Sequence, residues 1–582
     1  MNKKEIAGIF EEIAVLLELK AANPFRVRAY RNAARALLNM DEDLISMVEE
    51  KRLIELEGIG EDLAEKITTL ALKGRLPFYE KLKRSIPSGV LELTKVQGLG
   101  AKKIKRIYEK LKIQSIEELK EACEAGKLSK LKGFGPKTEK NILDALAHRE
   151  SYGHRRLWWD AMAAALPILE KLKNLKTVKK AEIAGSLRRK LETIGDIDFL
   201  VGASDPKPIM DWFTSQSFVD RILAKGDTKS SVRLKGGLQA DLRIVPEKQF
   251  AFALCYFTGS KEHNIKLREM SKKRGWTLSE WGLASEKGKK SAIFKEDKKP
   301  IAEADIYKAL KLACIPPELR EDKGEFQAAA QDKLPELVEE PDIRGTFHNH
   351  TTASDGRNNL KEMVLAAEKL GWEYIGIADH SKASFQANGL SEEALNAQVQ
   401  QIKKMNASGK FRPYIFAGTE CDVLANGSLD FSDAVLKKLD YVVISIHSSL
   451  RQDEKTLTKR LIKAIEHPYT TMVGHPTGRL LLRREAYAIN VPKIIDACIA
   501  NGKIIEINAN PQRLDMDWRF WHSASEKGLL CCINTDAHSI DHFAFVRAGI
   551  NVARKGWLEK KHILNTRPLK EVQQFLKRIK GV

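Results

Sequence analysis

The sequence predicts a multidomain α/β protein with a helical front, a mixed-sheet middle and a βα barrel at the end. Three observations carry this. Through about residue 150, apolar positions recur at three- and four-residue spacing with glycines between the runs. From about 176 they gather into short strands (VKKAEIAG, IDFLVGA, QADLRIVP, FALCYFTGS) with helical stretches between. Beyond 341, a series of buried-type strands each ends in polar, metal-capable residues: IRGTFHNH, YIGIADH, YIFAGTECD, YVVISIHSS, TMVGHP, KIIEINAN and LLCCINTDAH. Strand-then-helix repetition with functional residues at strand C-termini is how a βα barrel builds its site.

The 582 residues leave room for about three to five units of roughly 100 to 200 residues, which excludes a single small binding module. A composition of 43% hydrophobic and 30% charged residues excludes wholesale disorder. Residues 1–300 hold 59 basic and 42 acidic side chains, 301–340 hold 5 and 10, and 341–582 hold 34 and 26. The front half is therefore the basic half, and an excess of that size favours an anionic partner, nucleic acid first. The seven cysteines are scattered without a CxxC, so neither a disulfide framework nor a zinc ribbon is expected. The start has acids inside an amphipathic pattern, unlike a secretory signal, and no run approaches eighteen apolar residues. A cytoplasmic protein without a membrane partner is expected.

Within the front, one pattern recurs: LIELEGIGEDLAEKI (53–67), LTKVQGLGAKKIKRI (93–107) and LSKLKGFGPKTEKNI (128–142). Each is a helix, a Gly-apolar-Gly turn and a second helix, the helix-hairpin-helix pattern. The turns at Gly58 and Gly60, Gly98 and Gly100, and Gly133 and Gly135 present backbone N–H groups at a helix start. There they can bond a DNA phosphate without reading sequence, with Lys102 beside the second copy. A glycine cap before another core helix is the plain alternative for one copy; three copies make it a poor account.

In IAGSLRRKLETIGDIDFLVG, a turn at Gly185 and Ser186 opens a basic helix, and the following strand carries Asp196 and Asp198 on one side. Asp241, in LQADLRIVP, lies on another strand that could pair beside it. Phosphoryl transfer needs such carboxylates to hold two Mg²⁺ ions close together, and the Gly-Ser turn with Arg189 would meet phosphates. Alone, DxD is a weak signal. The ordered set GS, RR, GDID, DLR and YFTGS resembles the family X DNA polymerases, of which DNA polymerase beta is the familiar member. The resemblance implies that Asp196 and Asp198 ligate both metals (Mg²⁺ or Mn²⁺) and that Asp241 ligates the catalytic one while assisting 3′-OH deprotonation. It implies that Gly185, Ser186, Arg189 and Gly195 hold the dNTP triphosphate. Tyr256, Phe257 and Gly259 would pack the sugar, with Asn264 and Arg268 near the nascent pair. Lys190, Ile194 and Gln239 depart from the family, standing where Gly, a small polar residue and Arg are common. Lys66 occupies the place of the Schiff-base lysine that removes 5′-deoxyribose phosphate, and Tyr30 and Arg31 also match. Glu61 and Asp62 beside it favour a charged amine and repel a 5′-phosphate, so a solvated helix lysine is the competing reading.

Ten of the 13 histidines follow residue 341. His348, His350, Asp355, His380, Glu420, His447, His475, Asp536 and His538 sit mostly at strand ends, and imidazole and carboxylate without thiolate suit Mn²⁺, Zn²⁺ or Fe²⁺ in a multinuclear site. The ordered set HxH, SDG, DH, E, H, GHP and DxH resembles the PHP (polymerase and histidinol phosphatase) domain, with up to three ions. His467, His522 and His542 fall outside it. Arg479 could touch a phosphate or be a surface arginine.

The combined resemblance, to bacterial and archaeal family X polymerases with a C-terminal PHP domain, implies a nucleotidyltransferase-type palm and a distorted (β/α)7-like barrel. The expected division is 1–80 helical DNA-binding domain, 81–150 helix-hairpin-helix fingers, 151–250 palm, 251–317 thumb, 318–340 linker and 341–582 PHP domain. It implies a monomer that fills gapped or nicked DNA bearing a 5′-phosphate in base excision repair, with 3′→5′ exonuclease and abasic-site processing in the barrel. Two other readings stand beside it: a PHP phosphoesterase whose polymerase-like half only binds DNA, and a non-catalytic scaffold on DNA ends.

Overall fold

The computed structural model describes residues 1, 3–20, 22–40, 44–56, 58–87, 90, 93, 99, 101–131, 134–135, 139, 142–143, 155–285 and 302–579. It divides into two compact units, Met1–His154 and Arg155–Val582.

The first unit is helical throughout its described residues. Helices α1 (Lys3–Leu19) and α2 (Pro24–Asn39) lie against each other. Pro24 suits the first turn of α2, and the Asn23 side chain accepts from the Phe25 N–H at 2.9 Å. Ile6, Phe10, Ile13 and Leu17 form one apolar stripe that meets Tyr30, Ala33 and Leu37, and α3 (Leu44–Glu49), α4 (Glu61–Lys73) and α5 (Pro77–Arg84) close this core. A second core gathers around α6 (Ala101–Leu111) and α7 (Ile116–Glu124), with Ile104, Ile107, Leu119, Leu128 and Phe134.

The second unit begins with a five-stranded sheet of β1 (Lys180–Ile183), β2 (Asp196–Gly202), β3 (Val219–Lys225), β4 (Lys229–Leu234) and β5 (Gln239–Val245), in the order β1-β2-β5-β4-β3. Only β2 and β5 run parallel. Alternation sends Ile197, Phe199 and Val201 into a core with Ile168 of α8 (Trp158–Lys173) and Phe213 of α10 (Lys207–Ser215), α9 being the turn-like Gly185–Arg188. Asp196 and Asp198 are thereby left together on the opposite face.

Helices α11 (Phe250–Thr258), α12 (Lys261–Lys272), α13 (Glu303–Ala309) and α14 (Glu325–Ala330), with the hairpin β6 (Trp276–Ser279) and β7 (Gly282–Ser285), follow. The segment 318–340 is packed rather than loose. Leu319, Phe326 and Ala329 join the core of Phe252, Leu267 and Ile306, and Arg320 is buried against Glu303 at 2.6 Å. Its acidic composition reads as solvated chain, but Glu318 and Glu321 each find a cation from far along the sequence, Arg554 and Lys555.

The last region is a ring of short parallel strands in two sheets: β8 (Gly345–Thr346), β9 (Tyr374–Ile377) and β10 (Tyr414–Ala417), then β11 (Glu420–Asp422), β12 (Val443–Ser445), β13 (Met472–Val473), β14 (Ile504–Asn508) and β15 (Cys531–Asn534). Parallel bridges His380–Glu420 and Asn349–Ala537 join the two sheets at both seams. Because β10 runs into β11 across two residues, the ring has seven staves, a (β/α)7-like barrel. Phe347, Tyr374, Phe416 and Tyr441 fill its interior, while helices such as Leu360–Lys369 and Glu392–Ala407 cover the outside. Among the described residues no helix is long and apolar enough to cross a membrane, and all seven cysteines are free.

Candidate active sites

The parallel pairing of β2 and β5 sets Asp198 directly opposite Asp241 and Asp196 opposite Gln239, so three carboxylates share one face. Burial pushes Asp198 up to about 7, and the charges of Asp196 and Asp241 push in the same direction. Asp196 is raised by burial and then by Asp241. Cations would relieve this crowding, and the carboxylates line a cavity of about 240 Å³ with Lys229, Arg243 and Phe257. Gly185, at φ +63°, must be glycine, because a Cβ there would overlap the Asp198 carboxylate. Gln239 donates to Asp241 at 2.9 Å and Lys229 pairs with the other oxygen at 2.8 Å, so a neutral donor and a lysine from β4 stand where the family often has an arginine.

At the barrel mouth all nine expected ligands converge. Three groups could each hold an ion: His350, Asp355, His380 and His538; His348, His350 and Asp536; and His380, Glu420 and His447. His475 reaches the other Glu420 oxygen at 2.9 Å. Burial alone would raise Glu420, yet His348, His380 and His447 hold it well below the carboxylate range. Burial likewise opposes charge on His447 and His538, but Glu420 holds the first at about 10 and Asp355 the second at about 9. His350 falls to about 4 through burial and then the neighbouring His380 and His538. The ring nitrogens His348 Nε2, His350 Nδ1 and Nε2, His380 Nδ1 and His475 Nδ1 are buried without a hydrogen-bond partner. Orphaned buried nitrogens beside carboxylates are the donor set a divalent cation fits.

Family models match along the chain: a helix-hairpin-helix domain at residues 1–76, a SAM-like helix-hairpin-helix tandem at 90–148, a DNA polymerase beta thumb at 253–321 and a PHP domain at 346–510. A "DNA polymerase/3'-5' exonuclease PolX" of Bacillus subtilis is 39% identical over 581 residues, covering 99% of this chain and all of that one. The chain belongs to the PolX family. Rat DNA polymerase lambda is 26% identical over 280 residues, 45% of this chain and 46% of that one. A Thermoanaerobacter pseudethanolicus protein named "Probable phosphatase" is 26% identical over 246 residues, 40% of this chain and 93% of that one. PolX thus joins a family X polymerase to a PHP domain, both metal-dependent types.

Of the other residues expected at the nucleotide site, Phe257 lines the cavity of the three aspartates. Gly195 leaves room beside the Arg155 guanidinium, which would come within 3.5 Å of a Cβ there. Arg189 is turned toward the thumb: its Nε pairs with Glu321 at 3.1 Å and its Nη1 donates to the Thr258 carbonyl at 2.5 Å, under Gly259 at φ +70°. Arg188 pairs with Glu303. The Tyr256 and Phe257 rings meet edge to face at 5.2 Å, and Arg243 lies 4.5 Å over Phe257. Asn264 donates to the Tyr256 carbonyl at 2.6 Å and Arg268 to the Asn264 carbonyl at 3.3 Å. Ser186 stands half-buried at the turn. Ile194 fills the palm core, and Lys190 takes φ +61°, the left-handed conformation that explains glycine elsewhere in the family.

Sequence reasoning missed the barrel's supporting acids. Glu506 accepts from His348 Nδ1 at 2.9 Å and from the His475 N–H at 2.7 Å; Asp422 holds His447 Nδ1 at 3.0 Å; Asp379 ties down Thr351, Ser354 and Gln398. Such partners orient metal-binding imidazoles. The signal for Glu506 was a lone carboxylate inside the apolar strand KIIEINAN. Arg513 lies 3.4 Å from Asp536 on the rim. Arg479 is half-buried between Asp517 at 2.8 Å and Glu192 of the palm at 3.5 Å.

In the front unit, Gly58 at φ +90° and Gly60 form the turn before α4, and a Cβ on Gly58 would touch Asn32 at 3.5 Å. Gly135 is described; Gly98, Gly100, Gly133 and the Lys102 side chain lie outside the described residues. The Lys66 amine pairs with Asp62 and lies 5.8 Å from the Phe78 ring centre. Tyr30 is buried and stacked on Phe78, and Arg31 pairs with Glu18 at 2.7 Å.

Proposed function

We propose that this chain fills short gaps in DNA during base excision repair and trims or cleans 3′ ends in its barrel. Gapped or nicked DNA with a 5′-phosphate, and a dNTP, are the substrates of the first site. Asp196 and Asp198 would hold both divalent ions, Mg²⁺ or Mn²⁺, and Asp241 the one nearer the primer end. When bound, the ions supply Lewis acidity and neutralise phosphate charge. Asp241 takes up the primer 3′-hydroxyl proton or passes it on, and the Gly185–Ser186 turn, Arg189 and Gly195 hold the triphosphate. Tyr256, Phe257 and Gly259 pack the sugar, with Asn264 and Arg268 beside the new pair. The front helices bind DNA through the turns at Gly58 and Gly60 and their repeats.

In the barrel, the nine ligands from His348 to His538 would hold Mn²⁺, Zn²⁺ or Fe²⁺, up to three ions, for 3′→5′ exonuclease and abasic-site processing. Apart from 318–340, which is packed and not a linker, the domain bounds are those expected from the sequence, and the protein acts as a monomer. At Lys66 the ion pair with Asp62 leaves the amine engaged, which argues against lyase chemistry there.

The observation that carries the reading is the pairing of Asp198 against Asp241 beside a separate cluster of eight candidate ligands that His475 joins through Glu420. The alternative, a phosphoesterase whose front half only binds DNA, draws support from Arg189 lying against Glu321. A one-nucleotide gap with dNTPs and Mg²⁺ or Mn²⁺ separates them. Extension must vanish in Asp196→Ala and trimming in His348→Ala; extension that survives Asp196→Ala leaves only the phosphoesterase.

A further inference from the structure

The palm and the barrel meet through buried charge, and the contact falls on the triphosphate turn. Lys555 ends the barrel helix Val546–Lys555, 366 positions along the chain from Arg189, and only 1% of it is exposed. Its ammonium donates to the Arg189 carbonyl at 3.0 Å, to the Glu318 carbonyl at 3.2 Å and to the Glu321 carboxylate at 2.9 Å. It also sits 4.4 Å from the centre of the Trp518 ring, which belongs to the barrel. The same Glu321 oxygen receives the Arg189 side chain at 3.1 Å. Two cations, one from each domain, therefore share one carboxylate. Three residues beyond Arg189, Glu192 is held from the barrel side by Arg479 at 3.5 Å and Arg519 at 3.3 Å.

A buried lysine is costly, and three acceptors around one ammonium are needed to hold it. Packing alone does not call for a charge at this position; what it does is fix the Arg189 main chain and supply Glu321 with a second counter-ion. With that second partner, Arg189 can leave Glu321 for a triphosphate without stranding a buried anion. Without it, Arg189 is the one cation hydrogen-bonded to Glu321 among the described residues, and Glu321 retains it.

We propose that Lys555 is a positioning residue of the polymerase site, through which the PHP barrel keeps Arg189 available to the incoming dNTP. This rests on the reading of Arg189 as a triphosphate contact.

The test uses the full-length chain, titrating dNTP in single-nucleotide gap filling and following 3′ trimming and melting in the same preparations. Lys555→Met is expected to raise the KM for dNTP by about tenfold with a smaller change in kcat, and to keep trimming near the parent rate. Lys555→Arg, which restores the charge and the donors, should recover most of the loss. Lys555→Met combined with Glu321→Gln should fall between, since Arg189 is released from the carboxylate but its carbonyl has lost a donor. This double variant leaves no unpaired carboxylate behind. If Lys555→Met loses trimming and melts early, the double variant takes its place and must still show a raised KM. A parental KM in the folded Lys555 variants, with Arg189→Ala raising it, overturns the proposal and spares the Arg189 reading. A parental KM in Arg189→Ala overturns both.

Discussion

The palm and the barrel solve the same problem, gathering carboxylates into a cavity that cations fit, with opposite charge balances. The palm uses three aspartates and no imidazole, and burial, reinforced by the charges of Asp196 and Asp241, pushes Asp198 up to about 7. The barrel interleaves six histidines with three acids, so that attraction to the imidazoles outweighs burial and holds Glu420 well below the carboxylate range although 1% exposed. The palm's carboxylates therefore need added positive charge, whereas the barrel's are already paired with imidazoles. The supporting shells differ in the same sense: Glu506 and Asp422 stand directly behind His348 and His447, while the palm's Asp241 leans on Lys229 and Gln239.

The comparison can be broken most directly at Asp198. Asp198→Ala should lower gap extension by ~10³-fold or more while leaving trimming intact; parallel loss of both activities would mean the sites are not separate.

Next is the charge network that fixes the palm's basic turn to the thumb. Burial would raise Glu303, but Arg320 and Arg188 hold it at about 2 against an ordinary 4.5. A depressed acid stabilises the fold above its unfolded pKa, and that stability is lost as pH falls from about 4.5 through about 2. Glu303→Gln should cost on the order of 3 kcal/mol at pH 7 and flatten the acid limb of denaturant melts across that window. An unchanged acid limb would show that the network contributes nothing.

Behind the barrel ligands, Glu506→Gln should weaken metal retention and trimming by roughly 10 to 100-fold with extension unchanged. Metal analysis after dialysis reads this directly, and full retention would place Glu506 outside the support of the site. The smallest effect concerns Lys190, at φ +61° and 5.1 Å from the Trp158 ring centre. Lys190→Gly should change stability by about 1 kcal/mol or less, in the stabilising direction if backbone strain outweighs the lost ring contact. A thermal melt decides the sign.

Much of both sites was legible in the chain because their ligands are local in pattern. Period-two alternation already places Asp196 and Asp198 on one face, and strand-end histidines repeat stave by stave. Glu506 was missed because one acid in an apolar strand does not say what it faces, and Arg479 because GHPTGR does not reveal that its guanidinium lies against Glu192. The segment 318–340 was expected to be a linker since its acids and prolines read as solvated; their partners, Arg189, Arg554 and Lys555, lie far away in sequence.

By itself, then, the sequence determined the order of the regions, which acids and histidines are candidate metal ligands, and the glycine-dependent turns, since spacing along one strand or turn is a matter of local geometry. Only the tertiary structure decided which strand stands opposite Asp198, which acids support the histidines, and that a barrel lysine reaches the palm. Those are long-range pairings of buried charge, set by how separate segments pack, and no local period encodes them.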